Sequence, residues 1–235
     1  TKACLRMGTG LTTVHVPKHG VPILQTAVPE AMAQIDFHEK YFTDNIEPEK
    51  YSAVGVGPGI GTEEATQTAL KHLLLYEKKV PLVLDADALN IIGMNKDWLR
   101  IIPHHSILTP HPKEFERLTY AAPDDFTRHK MQLEFSRAHH VYVVLKGAHT
   151  CITTPEGEAF FNVTGNAGMA KGGSGDMLTG MLTALLAQGY SPLEACLLGV
   201  YMHGMAGDAV AQARGMDGML PTDMIDALPE VWRGL

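Results

Sequence analysis

The sequence predicts an α/β fold in which a mostly parallel central sheet is covered by helices on both faces. Three observations carry that prediction. Short, largely apolar runs at Tyr51 to Val56, Val80 to Leu84, Ser106 to Thr109 and Val141 to Leu145 alternate with longer segments of helical spacing. Each run breaks at once into residues of loop chemistry: Gly57-Pro58-Gly59, Asp85, Pro110 and Lys146. In open α/β folds such loops lie at the carboxyl ends of parallel strands, where ligands bind. Finally, 235 residues of which 45% are hydrophobic suffice for one large core, and no linker, repeat or low-complexity run divides them. A single domain over 1–235 is therefore expected. The chain opens on Thr1-Lys2-Ala3-Cys4-Leu5-Arg6, inside a helical pattern and without an initiator Met, so the expected domain is N-terminally incomplete.

In chain order, Ala3 to Met7 reads as the tail of a helix stopped by Gly8 and Gly10, and Leu11 to Val16 as a strand ended by Pro17. His19 to Thr26 suits a helix, while Ala31 to Ile35 fits either class. Asp36 to Lys50, polar and carrying Asn45 and Pro48, reads as surface loop. The strand Tyr51 to Val56 runs into Gly57-Pro58-Gly59-Ile60-Gly61. That loop is either a tight strand-to-helix turn or a place where Gly59 lets a ligand approach the backbone. Thr62, Glu63 and Glu64 start a helix to Tyr76, with acids near its positive end. After Val80 to Leu84 comes Asp85-Ala86-Asp87-Ala88-Leu89-Asn90; its acids suit magnesium held through water, a sugar hydroxyl, or the cap of the next helix. Pro112 fits the first turn of a helix over Lys113 to Leu118, with Glu114 as a helix-start acid. Ala122 to Asp125 is a turn and Phe126 to Ser136 a helix. Cys151 to Thr153 and Ala159 to Val163 flank Pro155-Glu156-Gly157 as a hairpin. Ser191-Pro192-Leu193-Glu194 is a capping box for a helix to about Arg214, with Leu197, Leu198, Tyr201, Met202 and Met205 as its core face. Thr222-Asp223 starts a last helix.

The chemistry gathers at Gly165-Asn166-Ala167-Gly168-Met169-Ala170-Lys171-Gly172-Gly173-Ser174-Gly175-Asp176. Behind it Met177, Leu178, Met181, Leu182, Leu185 and Leu186 recur at helical spacing. Gly172, Gly173 and Gly175 free the backbone to take positive φ and aim successive N–H groups outward. With the helix's positive end they form a site for phosphate or a developing oxyanion. Asp176 then stands where a carboxylate would repel phosphate unless it accepts a proton or holds a metal. A carboxylate that takes the attacking hydroxyl's proton belongs to phosphoryl transfer. Neither the P-loop nor the dinucleotide fingerprint fits this spacing.

A net charge of −7 argues against a general nucleic-acid binder, and no run approaches the roughly 20 apolar residues of a membrane helix. Three widely spaced cysteines, Cys4, Cys151 and Cys196, suggest a reducing compartment, hence a cytoplasmic location. Among twelve histidines, the pairs His104-His105 and His139-His140 lack metal-ligand spacing, so no zinc site is expected.

Gly-Gly-Ser-Gly-Asp-Met-Leu-Thr-Gly resembles the anion-hole signature of the ribokinase-like superfamily. More narrowly, Gly165 to Gly180 resembles the NAD(P)H-hydrate dehydratases, which repair damaged nicotinamide cofactors. Val54 to Gly61, Asp85 to Asn90, Thr109 to Phe115 and Val144 to Gly147 agree with that family in order, and the resemblance runs from about Leu5 to the C-terminus. It implies a ribokinase-like fold, dehydration of the S epimers of hydrated NADH and NADPH (NADHX and NADPHX) at the expense of ADP or ATP, Mg2+, and a homotetramer. It implies Asp176 as catalytic base, and Gly173, Ser174 and Gly175 as anion hole. Gly59, His111 and Asp176 are implied to meet the substrate; Lys146, Gly147, Ala148, His149, Thr150 and Gly175 the adenine nucleotide. His111 stands where ribokinase-like kinases carry the asparagine of Asn-x-x-Glu, and the motif's glutamate, which acts through magnesium, implies Glu114 as a water-mediated metal contact. The family's glycine- and alanine-rich substrate segment lies upstream of this chain. Because the relevant loops follow parallel strands, one cleft is expected, with nicotinamide near Gly59 and His111 and the reacting phosphate beside Gly175 and Asp176. A small-molecule kinase of the same superfamily shares the glycine-rich chemistry; a non-catalytic nucleotide-binding module leaves Asp176 without a purpose.

Overall fold

The computed structural model describes residues 1–43 and 47–235; Asn45, assigned above to a surface loop, lies outside the described residues. The central sheet has six strands in sequential order: β3 (Val54–Val56), β4 (Leu82–Leu84), β5 (Ile107–Leu108), β6 (Tyr142–Leu145), β7 (Cys151–Thr153) and β8 (Ala159–Phe161). β3 to β6 run parallel, whereas β7 and β8 return as the antiparallel hairpin expected around Pro155-Glu156-Gly157. β1 (Thr13–Val16) and β2 (Met32–Ile35) pair in parallel as a separate sheet, which resolves the ambiguous stretch Ala31 to Ile35 as strand.

Strand alternation divides the core into two halves. Val83, Ile107, Tyr142 and Val144 face one side and pack with Met177, Met181, Leu182 and Leu185 of α7 (Ser174–Ala187) and Val200 of α8 (Pro192–Arg214). α1 (Lys2–Arg6) and α9 (Pro221–Arg233) complete that layer through Ala3, Cys4, Met224 and Leu228. Leu82, Leu84, Leu108, Val143 and Leu145 face the other side, against α3 (Glu64–Leu75), α4 (Ala86–Met94), α5 (Pro112–Leu118) and α6 (Asp125–His139). Helices thus cover both faces, as an apolar parallel sheet requires. His19 to Thr26, read as a helix, forms a 3-10 turn at Lys18–Gly20 followed by α2 (Val21–Ala27). No helix among the described residues is long and apolar enough to cross a membrane.

Two expectations are corrected. Asp36, placed in a polar surface loop, is 1% exposed. Its carboxylate accepts from the backbone N–H of His38 (2.8 Å) and Thr43 (2.6 Å) and from the Thr43 hydroxyl (2.6 Å), and meets His15 Nε2 at 3.0 Å. It organises its own turn, so its polarity does not place it in solvent. On α8, Leu197 and Leu198 are only half-buried and Tyr201 is exposed, although Met202 is fully buried. The core face is made instead by Ala195, Cys196, Gly199, Val200, Ala206 and Val210. Small side chains let α7 approach: a Cβ on Gly199 would crowd Leu182.

Candidate active site

α7 begins one residue after Gly173, whose φ of 93° is the left-handed conformation that glycine tolerates. Ser174 is buried, and Asp176, third in the helix, is exposed. No donor among the described residues hydrogen-bonds the Asp176 carboxylate. The expectation of positive φ holds at Gly173 but not at Gly172 or Gly175. Gly175 is helical, and its missing Cβ makes space instead: a methyl there would stand 3.3 Å from Lys146 Nζ and 3.7 Å from Asp85 Oδ2.

The loop that leads into α7 is held from several sides. Asp208 accepts from Gly165 N–H (2.8 Å) and Asn166 Nδ2 (2.9 Å), while Asn166 Oδ1 accepts from Gly168 N–H (3.0 Å). Lys171 Nζ donates to the carbonyls of Asp217 and Met219, both at 2.7 Å. Any Cβ on Gly204 or Gly207 of α8 would collide with Thr164 or Met169, so those glycines seat the loop on the helix. From α8, His203 Nε2 lies 3.1 Å from the Ser174 carbonyl and 3.3 Å from its hydroxyl. Burial pushes the His203 pKa down to about 4, against the Ser174 carbonyl bond that favours its proton. The neutral ring donates to that carbonyl.

The strand ends bring the other groups to the same rim. Asp85, after β4, does not cap α4 through its side chain. Its Oδ1 accepts from Lys146 Nζ at 2.7 Å and its Oδ2 from the Thr179 hydroxyl at 2.8 Å. Asp87 accepts from Gly61 N–H (3.0 Å) and ties the loop after β3 to α4. His111 caps α5: its Nδ1 accepts from the N–H groups of Lys113 (3.1 Å) and Glu114 (3.3 Å), and Glu114 Oε2 accepts from His111 N–H (2.7 Å). This is a capping box with histidine in the serine position. Glu114, the helix-start acid of that box, also lies 3.8 Å from Lys146 Nζ.

A cavity of about 970 Å³ collects His111, Glu114, Lys146, Gly147, Ala148, Thr150 and Gly173 through Asp176. Asp176 also borders a second cavity, of about 360 Å³, walled by Gly57, Pro58 and Ile60. Gly59 and His149 line neither. Gly59 has φ of 67° with open space where its Cβ would be, and His149 is exposed. Sequence reasoning missed the partnerships of Asp85, Thr179 and His203. Asp85 was legible to the extent that it and Lys146 both follow parallel strands; His203 and Thr179 lie inside helices with nothing to mark them.

Magnesium, which the resemblance implies, has a partial set of donors. Among the described residues no three His, Cys, Asp or Glu side chains gather to cage a metal. Glu114 and Asp176 nevertheless line one cavity with the Lys146 ammonium, which suits an ion carried mainly by phosphate and water; the Ser174 N–H, expected in the anion hole, donates instead to the Lys171 carbonyl at 3.2 Å.

The family model for NAD(P)H-hydrate dehydratase matches residues 1–230. A bifunctional NAD(P)H-hydrate repair enzyme of Moorella thermoacetica is 37% identical over 99% of the chain, which spans 46% of that protein. The chain thus covers about half the length of such bifunctional relatives. An ADP-dependent (S)-NAD(P)H-hydrate dehydratase of Bacillus subtilis is 32% identical over 97% of the chain and 81% of its own length. A crystal structure of the ADP/ATP-dependent NAD(P)H-hydrate dehydratase from that organism, co-crystallised with ATP/Mg2+ and soaked with CoA, aligns with a TM-score of 0.83 and 30% identity over 99% of this chain and 84% of that one. A ribokinase-like superfamily protein of Enterococcus faecalis aligns with the same TM-score and identity over 99% of this chain and 80% of its own, so the fold is ribokinase-like.

Proposed function

Because the chain belongs to the NAD(P)H-hydrate dehydratase family, we propose that its rim cleft dehydrates the S epimers of hydrated NADH and NADPH at the expense of ADP or ATP. The reaction returns NADH and NADPH and is a lyase reaction of cofactor repair. The observation that carries this reading is the meeting of the Gly173–Gly175 turn, the Lys146 ammonium and the free Asp176 carboxylate on one cavity wall. An anion nest alone would bind phosphate; an acceptor for a hydroxyl proton beside it gives phosphoryl transfer a direction.

The difficulty in the substrate is its leaving group, since hydroxide departs poorly from a saturated ring carbon. In this reading Asp176 takes the proton of that hydroxyl as the oxygen attacks the terminal phosphoryl group of the nucleotide. The N–H groups at the start of α7, the helix's positive end and Lys146 hold the negative charge that develops. The new C–O–phosphate bond then breaks, with the ring nitrogen's lone pair expelling phosphate, and the neighbouring carbon loses a proton to complete the dihydropyridine. The nucleotide leaves one phosphoryl group shorter, and inorganic phosphate carries away the hydroxyl oxygen. Glu114, the buried carboxylate on that wall, would hold through water a Mg2+ brought by the nucleotide, which would add to the neutralisation of phosphate charge.

Gly59 and His111 are assigned to the nicotinamide end, and Lys146 through Thr150 to the adenine nucleotide. The bacterial character of the blocks favours ADP. Residues 1–235 are taken as one dehydratase domain, assembling as a homotetramer in the cytoplasm; light scattering and cell fractionation check the last two. The direct test incubates the chain with hydrated NADH, Mg2+ and ADP and follows the near-ultraviolet absorbance of NADH. Recovery that requires ADP supports the reading. A phosphorylated product that accumulates without NADH identifies a small-molecule kinase instead.

A further inference from the structure

Asp85 does not act as the helix cap that its position suggests. It follows β4 at the cap of α4, yet makes no side-chain cap bond, and it is 1% exposed. Both carboxylate oxygens are used across the fold, Oδ1 by Lys146 after β6 and Oδ2 by Thr179 in the second turn of α7. The next residue, Ala86, holds φ at 47°, a left-handed conformation that a residue with a Cβ adopts at a cost. The ammonium that this carboxylate holds stands over Gly175, where a single methyl group would contact it.

We propose that Asp85 is a positioning residue of the phosphoryl-transfer site: clamped by the Thr179 hydroxyl, it fixes the Lys146 ammonium against the amino end of α7. This rests on the reading of that end as the nucleotide's phosphate site. The electrostatics favour it over a purely structural ion pair. A cation at the positive end of a helix is repelled by the dipole, so what holds Lys146 there in the empty fold is the carboxylate pair Asp85 and Glu114. Buried ion pairs contribute little net stability compared with apolar packing. The arrangement gains its value when a polyanion arrives and meets an amide nest and an ammonium already in register. Lysine is a flexible point charge, and without Asp85 it would have to be ordered at each binding event. Because α7 carries both the nest and Thr179, the same helix sets the position of the amides and, through Asp85, of the cation.

A double-mutant cycle tests this. Asp85→Asn, Lys146→Met, their combination and Thr179→Val are compared with the wild-type chain. The readouts are kcat and KM for ADP in the NADH-forming assay, ADP affinity by calorimetry, and thermal unfolding as a control. Asp85→Asn and Lys146→Met are each expected to lower kcat/KM for ADP on the order of tenfold to a hundredfold. KM for hydrated NADH should move less. The combined variant should be no worse than Lys146→Met alone, since each residue acts through the other. Thr179→Val should lower the same parameter by a smaller factor. Losses that multiply in the combined variant, or unchanged kcat/KM for ADP in Asp85→Asn, overturn the proposal. Should Asp85→Asn alone unfold, the combined variant, which removes both charges of the pair, and Thr179→Val decide: if both match wild type, the proposal fails. If the wild-type chain neither binds ADP nor forms NADH, the functional reading fails; activity with independent losses removes only the role of Asp85.

Discussion

Asp176 is an exposed carboxylate in the first turn of α7, beside the glycine-rich backbone that lines the cleft. Replacing it with asparagine keeps the size and removes the proton acceptor. Asp176→Asn is expected to lower turnover by about 10²-fold or more, with ADP affinity retained or tightened because a negative charge is gone. Steady-state rates with parallel ADP titrations check this, and a near-normal rate takes Asp176 out of the mechanism. His203 makes a different prediction. It is half-buried beside Ser174, and desolvation lowers its pKa from 6.5 to about 4. An unfolded chain takes up that proton near pH 6.5 and the folded one only near pH 4. The stability associated with the neutral ring is therefore complete above about pH 6.5 and lost as the pH falls toward about 4. Its full extent is about 3 kcal/mol. Urea unfolding across that window should show a flatter pH dependence for His203→Gln than for wild type. Parallel profiles would mean that His203 titrates normally in the fold.

At the scale of the element, two glycines at the start of α7 have opposite duties. Gly173→Ala forces a Cβ into left-handed backbone and should destabilise the fold by roughly 1–2 kcal/mol. Gly175→Ala enters helical backbone, where alanine is the better helix former, but its methyl meets Lys146 Nζ at 3.3 Å. The first variant should lower the melting temperature; the second should weaken ADP binding without lowering it. Equal effects on both quantities would contradict this division. At the start of α8, Ser191 and Glu194 form a reciprocal capping box. Ser191→Ala should cost about 1 kcal/mol in urea unfolding and leave turnover unchanged. That box was legible because its spacing is its mechanism, and so were the strands β3 to β6, whose apolar runs end in glycine, acid, proline or lysine. The face of α7 was legible from the spacing of Met177, Leu178, Met181 and Leu182. The buried face of α8 was not: Ala195, Gly199 and Ala206 carry almost no hydrophobic signal, and the large side chains drew attention to a half-buried stripe. Glycines at 173 and 175 look alike in a sequence, since one is needed for a torsion angle and the other for empty space around a neighbour.

Across the whole molecule, four parallel strands deliver their following loops to a single rim, and α7 closes it from the opposite layer. Residues as distant in sequence as His111, Lys146 and Asp176 thereby share one cavity, while the loop after β3 walls a second cavity that meets the first at Asp176. The sharing of one cavity by His111, Lys146 and Asp176 followed from topology; the single cleft expected to include Gly59 did not, since that glycine lines neither cavity. The partners chosen across the rim, Asp85 for Lys146 and His203 for Ser174, depend on side-chain reach and helix rotation that no local pattern encodes. In the proposed reaction, nucleotide is consumed to turn a hydroxyl into a phosphate leaving group. The measurement that bears on it most directly follows NADH formation and inorganic phosphate release together, from one reaction with hydrated NADH, ADP and Mg2+. Equal amounts of NADH and phosphate, formed at the same rate and both suppressed in Asp176→Asn, are predicted. NADH formed without phosphate release, or phosphate released with no NADH, would contradict the account.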